Sequence, residues 1–145
     1  MRDKLYEEQI QRHQQKMLRI LREYSAKSLD DWEETDYLSI ERALQVLIES
    51  LIGFARYTLE QSHQVKVSRS REAFDELKQR QNLSHENHKK VMRLIGFRNI
   101  LVHDYLNLDD DIIEAIVIKK EYELIEDIIG ILDQLLVKAE ERTAI

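Results

Sequence analysis

Apolar residues recur along most of this chain with the spacing of helices rather than strands. The set Ile40, Leu44, Leu47, Leu51 and the set Ile48, Ile52, Ala55 follow i, i+3, i+4 steps. That is the pattern of a helix turning one face to a core. The pattern predicts a start at a cap on Thr35 or Asp36 and an end near Gln61 or His63. A second strong pattern lies toward the C-terminus, in Leu124, Ile128, Ile131, Leu135 and Ile125, Ile129, Leu132, Leu136. This double stripe is wider than a two-helix seam and suits the interior of a bundle.

The weaker patterns complete the outline. A first helix is predicted from about Lys4 to Tyr24, with Leu5, Ile10, Met17, Leu18 and Leu21 as an imperfect stripe. Leu29 to Glu34 reads as an acidic connector holding Trp32, the only tryptophan. His63 to Ser70 reads as a loop, although Val65 and Val67 alternate like a strand. A shorter helix is expected over Ser70 to Gln79. Ser84 is the predicted N-cap of the next helix, which carries Val91, Leu94 and Ile95 inward. Asn107 to Asp111 reads as a polar turn. Asp109 to Asp111 then place carboxylates at the start of one long last helix, where its dipole favours negative charge. Tyr6, Tyr24, Tyr57 and Tyr122 are read as packing residues on these helices.

Proline is absent and there are three glycines, so long helices meet few breakers. The expected fold is all-α, a bundle of four or five helices. One domain is expected to span residues 1–145, without repeats or linkers.

Composition narrows the setting. With 43% hydrophobic and 34% charged residues, the chain reads as globular. It has no run near the roughly 18 apolar residues of a membrane span. Its opening residues, Met1 to Glu8, are too charged for a signal-peptide core. Cysteine is absent, which excludes disulfides and thiolate metal sites. A cytoplasmic location is expected, with no membrane partner.

Charge is unevenly spread. The net charge is −6, which at first argues against a nucleic-acid partner. Residues 66–105, however, carry nine Lys or Arg against five Asp or Glu. Residues 1–65 balance to −3 and residues 106–145 to −7. A locally basic segment attracts a phosphate backbone at short range. Taken alone, it reads first as a solvated charged face.

The candidate chemistry lies at the end of that segment, in Phe97-Arg98-Asn99-Ile100-Leu101-Val102-His103-Asp104-Tyr105. Arg98, His103 and Tyr105 form an R-x4-H-x-Y pattern. They supply a fixed positive charge, a group that titrates near neutral pH, and a phenolic hydroxyl. Five residues on an ideal helix leave His103 about 140° around from Arg98. Three resolutions are open: the helix ends or distorts near His103, a second protomer completes the site, or the residues do not cooperate. Each residue also has an ordinary use. Arg98 could pair with a surface acid, His103 could bond a carbonyl at a helix end, and Tyr105 could pack its ring.

Metal is the competing use of histidine. His85 and His88 lie three apart on one helix, but no acid stands at the next turn, and they read as a surface pair. No metal site and no cofactor are expected.

On the R-x4-H-x-Y run and over most of its length, the chain resembles the HEPN superfamily. Within it, the resemblance is to the HepT-like toxins of bacterial and archaeal toxin–antitoxin pairs. Tyr37, with Glu41 and Arg42 one turn on, fits the same pattern. The resemblance implies a two-fold homodimer in which Arg98 and His103 of two protomers surround one cleft. It implies metal-independent RNA cleavage, in which the ribose 2′-hydroxyl attacks the adjacent phosphate. His103 would serve as general acid or base, Arg98 would stabilise phosphoryl charge, and Asn99 would hold a phosphate oxygen or the imidazole. It further implies an MNT-type nucleotidyltransferase antitoxin that adds AMP to Tyr105, in a hetero-oligomer with this chain. The rival function is a non-catalytic helical module that binds a nucleotidyltransferase and helps present its substrate.

Overall fold

The computed structural model describes residues 2–143, and Tyr105 among them by its backbone alone. Helix α1 spans Lys4–Ala26. Its first turn is closed by Asp3, whose carboxylate accepts the Tyr6 N–H at 3.0 Å and so satisfies one of the helix's unpaired donors. The apolar stripe buries Met17, Leu18 and Leu21. Leu5, expected on that stripe, is instead exposed; at this end of the helix it is Tyr6 that packs on the core, its ring 4.7 Å from that of Tyr57.

A 3₁₀ turn at Leu29–Asp31 leads into α2, Glu34–His63. Trp32 lies between them and meets the rings of Tyr24 and Tyr37 edge-on, at 5.9 and 5.4 Å. Helix α2 starts slightly before its predicted cap. Glu33 is the N-cap, and Asp36 is the third helical residue, reaching back to accept the Glu33 N–H at 2.8 Å. Asp36 therefore completes half a capping box rather than starting the helix. The same carboxylate takes the Tyr24 hydroxyl at 3.0 Å and the Lys27 ammonium at 3.1 Å.

Thirty residues long, α2 is the axis of the bundle and touches every other helix. Its predicted core positions, Ile40 through Ala55, are all buried. Each such leucine or isoleucine contributes about 1.5–3 kcal/mol by leaving water.

The loop after His63 leads to α3, Ser70–Gln79. This helix ends with Gln81 in the left-handed region (φ 64°), its N–H bonded to Lys78 O while Asn82 N–H reaches Leu77 O. Helix α4 spans His85–His103, with Ser84 accepting the Asn87 N–H at 3.1 Å. A 3₁₀ turn at Tyr105–Asn107 follows.

The expected single last helix is divided. Helix α5 covers Asp110–Ile118 and α6 covers Glu123–Thr143. Between them Lys120 adopts φ 54°, Lys120 N–H bonds Val117 O, and Glu121 N–H bonds Ile116 O. These two reversed bonds define a Schellman turn, here built without glycine. The turn also drives Tyr122 inward. That tyrosine, expected on a helix, sits in the connection, 1% exposed. Its hydroxyl meets Ser25 Oγ at 2.5 Å, and Ser25 also donates to Val117 O.

The fold is all-α, as expected, with six helices among the described residues. None of them is long and apolar enough to cross a membrane.

Candidate active site

The motif occupies the last turns of α4. Val91, Leu94 and Ile95 of this helix are buried, which fixes its rotation. On a regular helix Arg98 falls within about 60° of those three, so it points along the core-facing side. The guanidinium is half-buried, and its Nε is sealed from solvent with no hydrogen-bond partner among the described residues. No described acid forms an ion pair with it. The surface ion pair that the sequence allowed is therefore not formed among these residues. Desolvating a guanidinium N–H without a partner costs about 1–3 kcal/mol.

His103 is the last residue of α4 and is exposed. Both motif residues lie within one continuous helix, so the rotation of about 140° between them stands. Within one chain they face different sides. Asn99 precedes His103 by one turn and shares its side, about 40° away.

Beyond His103 the backbone leaves the helix at Asp104, whose N–H bonds Ile100 O at 3.0 Å. The Asp104 carboxylate accepts the Asn107 side-chain amide at 2.7 Å, and Asn107 N–H returns to Asp104 O at 3.0 Å. Asp104 is thus engaged in closing the turn. Tyr105 begins the 3₁₀ turn, and its side chain lies outside the described residues.

Apolar residues around this end of α4 reach solvent. Val102 and Ile112 are exposed, and Leu106 is 84% exposed. A cleft of about 310 Å³ lies between α4 and α5, walled by Arg93, Phe97, Ile112 and Ile116. A second, of about 330 Å³, gathers Lys90, Arg93, Lys119 and Lys120 with Glu121 and Asp127. Arg93 pairs with Glu121 at 3.0 Å. Sequence reasoning did not single out these cations. The basic balance of residues 66–105 was the available signal, and Lys119 and Lys120 fall outside it.

His88 does not join His85; its Nε2 meets Asp75 Oδ1 of α3 at 2.7 Å. No group of three His, Cys, Asp or Glu able to hold a metal occurs among the described residues. Tyr37 hydrogen-bonds Glu114 across to α5. Burial, and then the Asp110 carboxylate, hold Glu41 above the usual carboxylate range.

Solved structures of known proteins share this architecture. A toxin–antitoxin crystallised with AMP-PNP is 25% identical, with a TM-score of 0.71 over 91% of this chain and 99% of that one. A tri-AMPylated Shewanella oneidensis HEPN toxin in complex with MNT antitoxin is 24% identical, with a TM-score of 0.66 over 90% of this chain and 99% of that one. The cytosolic protein YutE of Bacillus subtilis, of unknown function, is 18% identical, with a TM-score of 0.71 over 90% of each chain. Among curated proteins, none matches by sequence. The family described as ribonuclease HepT-like matches residues 10–131. Because that match takes in most of the 145 residues, the chain belongs to the HepT-like ribonuclease family.

Proposed function

We propose that the chain is a metal-independent endoribonuclease, the toxin of a toxin–antitoxin pair, acting as one domain in a homodimer. The observation that carries this reading is the state of Arg98. Arg98 is half-buried and no described acid pairs with it, so its charge is not neutralised internally, and with Nε sealed it is the terminal amino groups that an outside anion would meet. Such a group is suited to an anion arriving from outside, and a phosphoryl oxygen fits its geometry.

His103 moves the protons. An exposed imidazole can take the proton of the ribose 2′-hydroxyl or deliver one to the departing 5′ oxygen. The 2′ oxygen then bonds to phosphorus, the P–O5′ bond breaks, and a 2′,3′-cyclic phosphate and a 5′-hydroxyl result. Arg98 stabilises the charge that builds on the phosphoryl oxygens. Asn99, one turn before His103, orients the imidazole or a phosphate oxygen. DNA lacks the attacking hydroxyl and is not a substrate.

Within one chain Arg98 and His103 face apart. A two-fold partner brings the arginine of one protomer toward the histidine of the other. Exposed Val102, Leu106 and Ile112 beside the motif supply apolar surface for that contact or for an antitoxin. The similarity to a toxin–antitoxin crystallised with AMP-PNP supports an antitoxin partner; in this reading that partner is a nucleotidyltransferase that adenylylates Tyr105. AMP there adds bulk and negative charge beside the RNA site.

The test is direct. The purified chain is incubated with total RNA in EDTA, beside His103→Ala and Arg98→Ala. Cleavage leaving cyclic phosphate ends, and lost in both variants, is expected. Cleavage that persists in both variants, or that stops in EDTA, would falsify the mechanism. Binding of the nucleotidyltransferase without any cleavage would favour a non-catalytic helical module.

A further inference from the structure

Helix α4 carries a second regularity beside the motif. Lys89, Gly96 and His103 recur at seven-residue steps, and each step turns only about 20° on a regular helix. They form one stripe on the side away from the core. Its middle position has no side chain, and a cation from α3 fills the space. The Arg71 guanidinium lies over Gly96, with Nη2 3.7 Å from where a Cβ would stand, and Nη1 reaches Met92 Sδ at 3.6 Å. The Arg71 guanidinium is thus within van der Waals reach of the Gly96 position on α4.

The charge along the stripe is not cancelled locally. The segment 66–105 contains five acids, and each is engaged elsewhere. Glu72 faces Arg69, Asp75 faces His88, Glu76 faces Arg80, Glu86 faces Lys90, and Asp104 holds Asn107. Arg71 and Lys89 are exposed and have no acidic partner among the described residues. Each cation lies about 10 Å along the axis from the next position of the stripe, the rise of about three stacked nucleotides.

From this we infer that Arg71 and Lys89 form a track for the RNA backbone that leads to His103. Arg71 binds a phosphate about three nucleotides from the scissile one, and Lys89 binds one farther out. The inference rests on the ribonuclease reading but assigns binding residues outside the reacting group.

The test uses the full chain in a His103→Ala background, so that bound RNA survives. The affinity of a short, mixed-sequence, single-stranded RNA is followed by fluorescence anisotropy across a salt series. Arg71→Gln and Lys89→Gln are each expected to weaken binding about threefold or more at low salt. Each should reduce the slope of log affinity against log salt by about 0.7, one phosphate contact on a single strand. Arg71→Lys, which keeps the charge, should restore most of the affinity, and this separates a phosphate contact from a folding defect. Arg19→Gln removes an exposed cation from α1 and should leave the slope unchanged. An unchanged slope in Arg71→Gln, or an equal fall in Arg19→Gln, overturns the track. If the slope falls as expected while the wild-type chain cleaves no RNA, the track stands and the ribonuclease reading fails. If the wild type cleaves and the slope holds, the reverse is true.

Discussion

Tyr37 donates its phenolic proton to Glu114 at 2.6 Å, and this contact ties the first turns of α2 to α5, the helix that follows the motif. The bond to the carboxylate is the largest cause that pushes the phenol up to about 12, with burial second. A raised value means that the folded state holds this proton more tightly than the unfolded chain. Its stabilisation is therefore complete below the ordinary phenol value of 10 and is lost as pH rises toward 12. Tyr57, pushed up to about 12 by burial and then by Glu7, behaves alike. Thermal melts across this range should show a steep alkaline decline. Tyr37→Phe should make it shallower, and adding Tyr57→Phe shallower still.

His63 gives the opposite dependence. Burial, followed by the cations of Arg80 and Arg142, holds its imidazole below the ordinary value of 6.5, while Asn82 pulls the other way. A lowered value means that the folded state resists protonation. The stabilisation is full above 6.5 and is lost as pH falls through the folded value. His63→Gln should flatten the acid side of the stability profile, read from denaturant midpoints. An identical profile in that variant would remove His63 from the account.

Arg98 sets stability against function. Arg98→Met keeps the aliphatic stem and removes the unpartnered Nε. We expect the variant to fold and to match or exceed the wild type by about 1 kcal/mol in chemical denaturation. RNA cleavage should disappear. A loss of more than about 2 kcal/mol would mean that the guanidinium is satisfied internally.

Tyr122 is the anchor of the break between α5 and α6. Tyr122→Ala empties a buried aromatic site and should cost about 3–5 kcal/mol. Tyr122→Phe removes only the bond to Ser25 and should cost about 1 kcal/mol. The ratio of the two separates ring packing from the hydroxyl.

Local signals were the readable part of the sequence. The bounds of α3 and the Ser84 cap follow from patterns only a few residues long, and the structure keeps both. The break at Lys119–Tyr122 was harder to read. No glycine or proline marks it; its traces in the sequence are the charged run Lys119-Lys120-Glu121 and a shift of the apolar phase, Ile116 and Ile125 falling about 180° apart on one regular helix. Three left-handed residues, Gln64, Gln81 and Lys120, occupy helix ends where composition would call for glycine. The three glycines lie inside helices instead. In the motif, the sequence identified Arg98 and His103 and their angular separation. Arg71 was invisible, because its place over Gly96 depends on how two helices pack.

The division of the last helix has a further consequence. A nine-residue segment such as α5 is too short to hold helical form alone in water. Its order is borrowed from the surface of α1 and α2 on which it rests. The stretch that follows the motif is thus a conditional element, structured only while docked, and its amide exchange would report whether that docking holds.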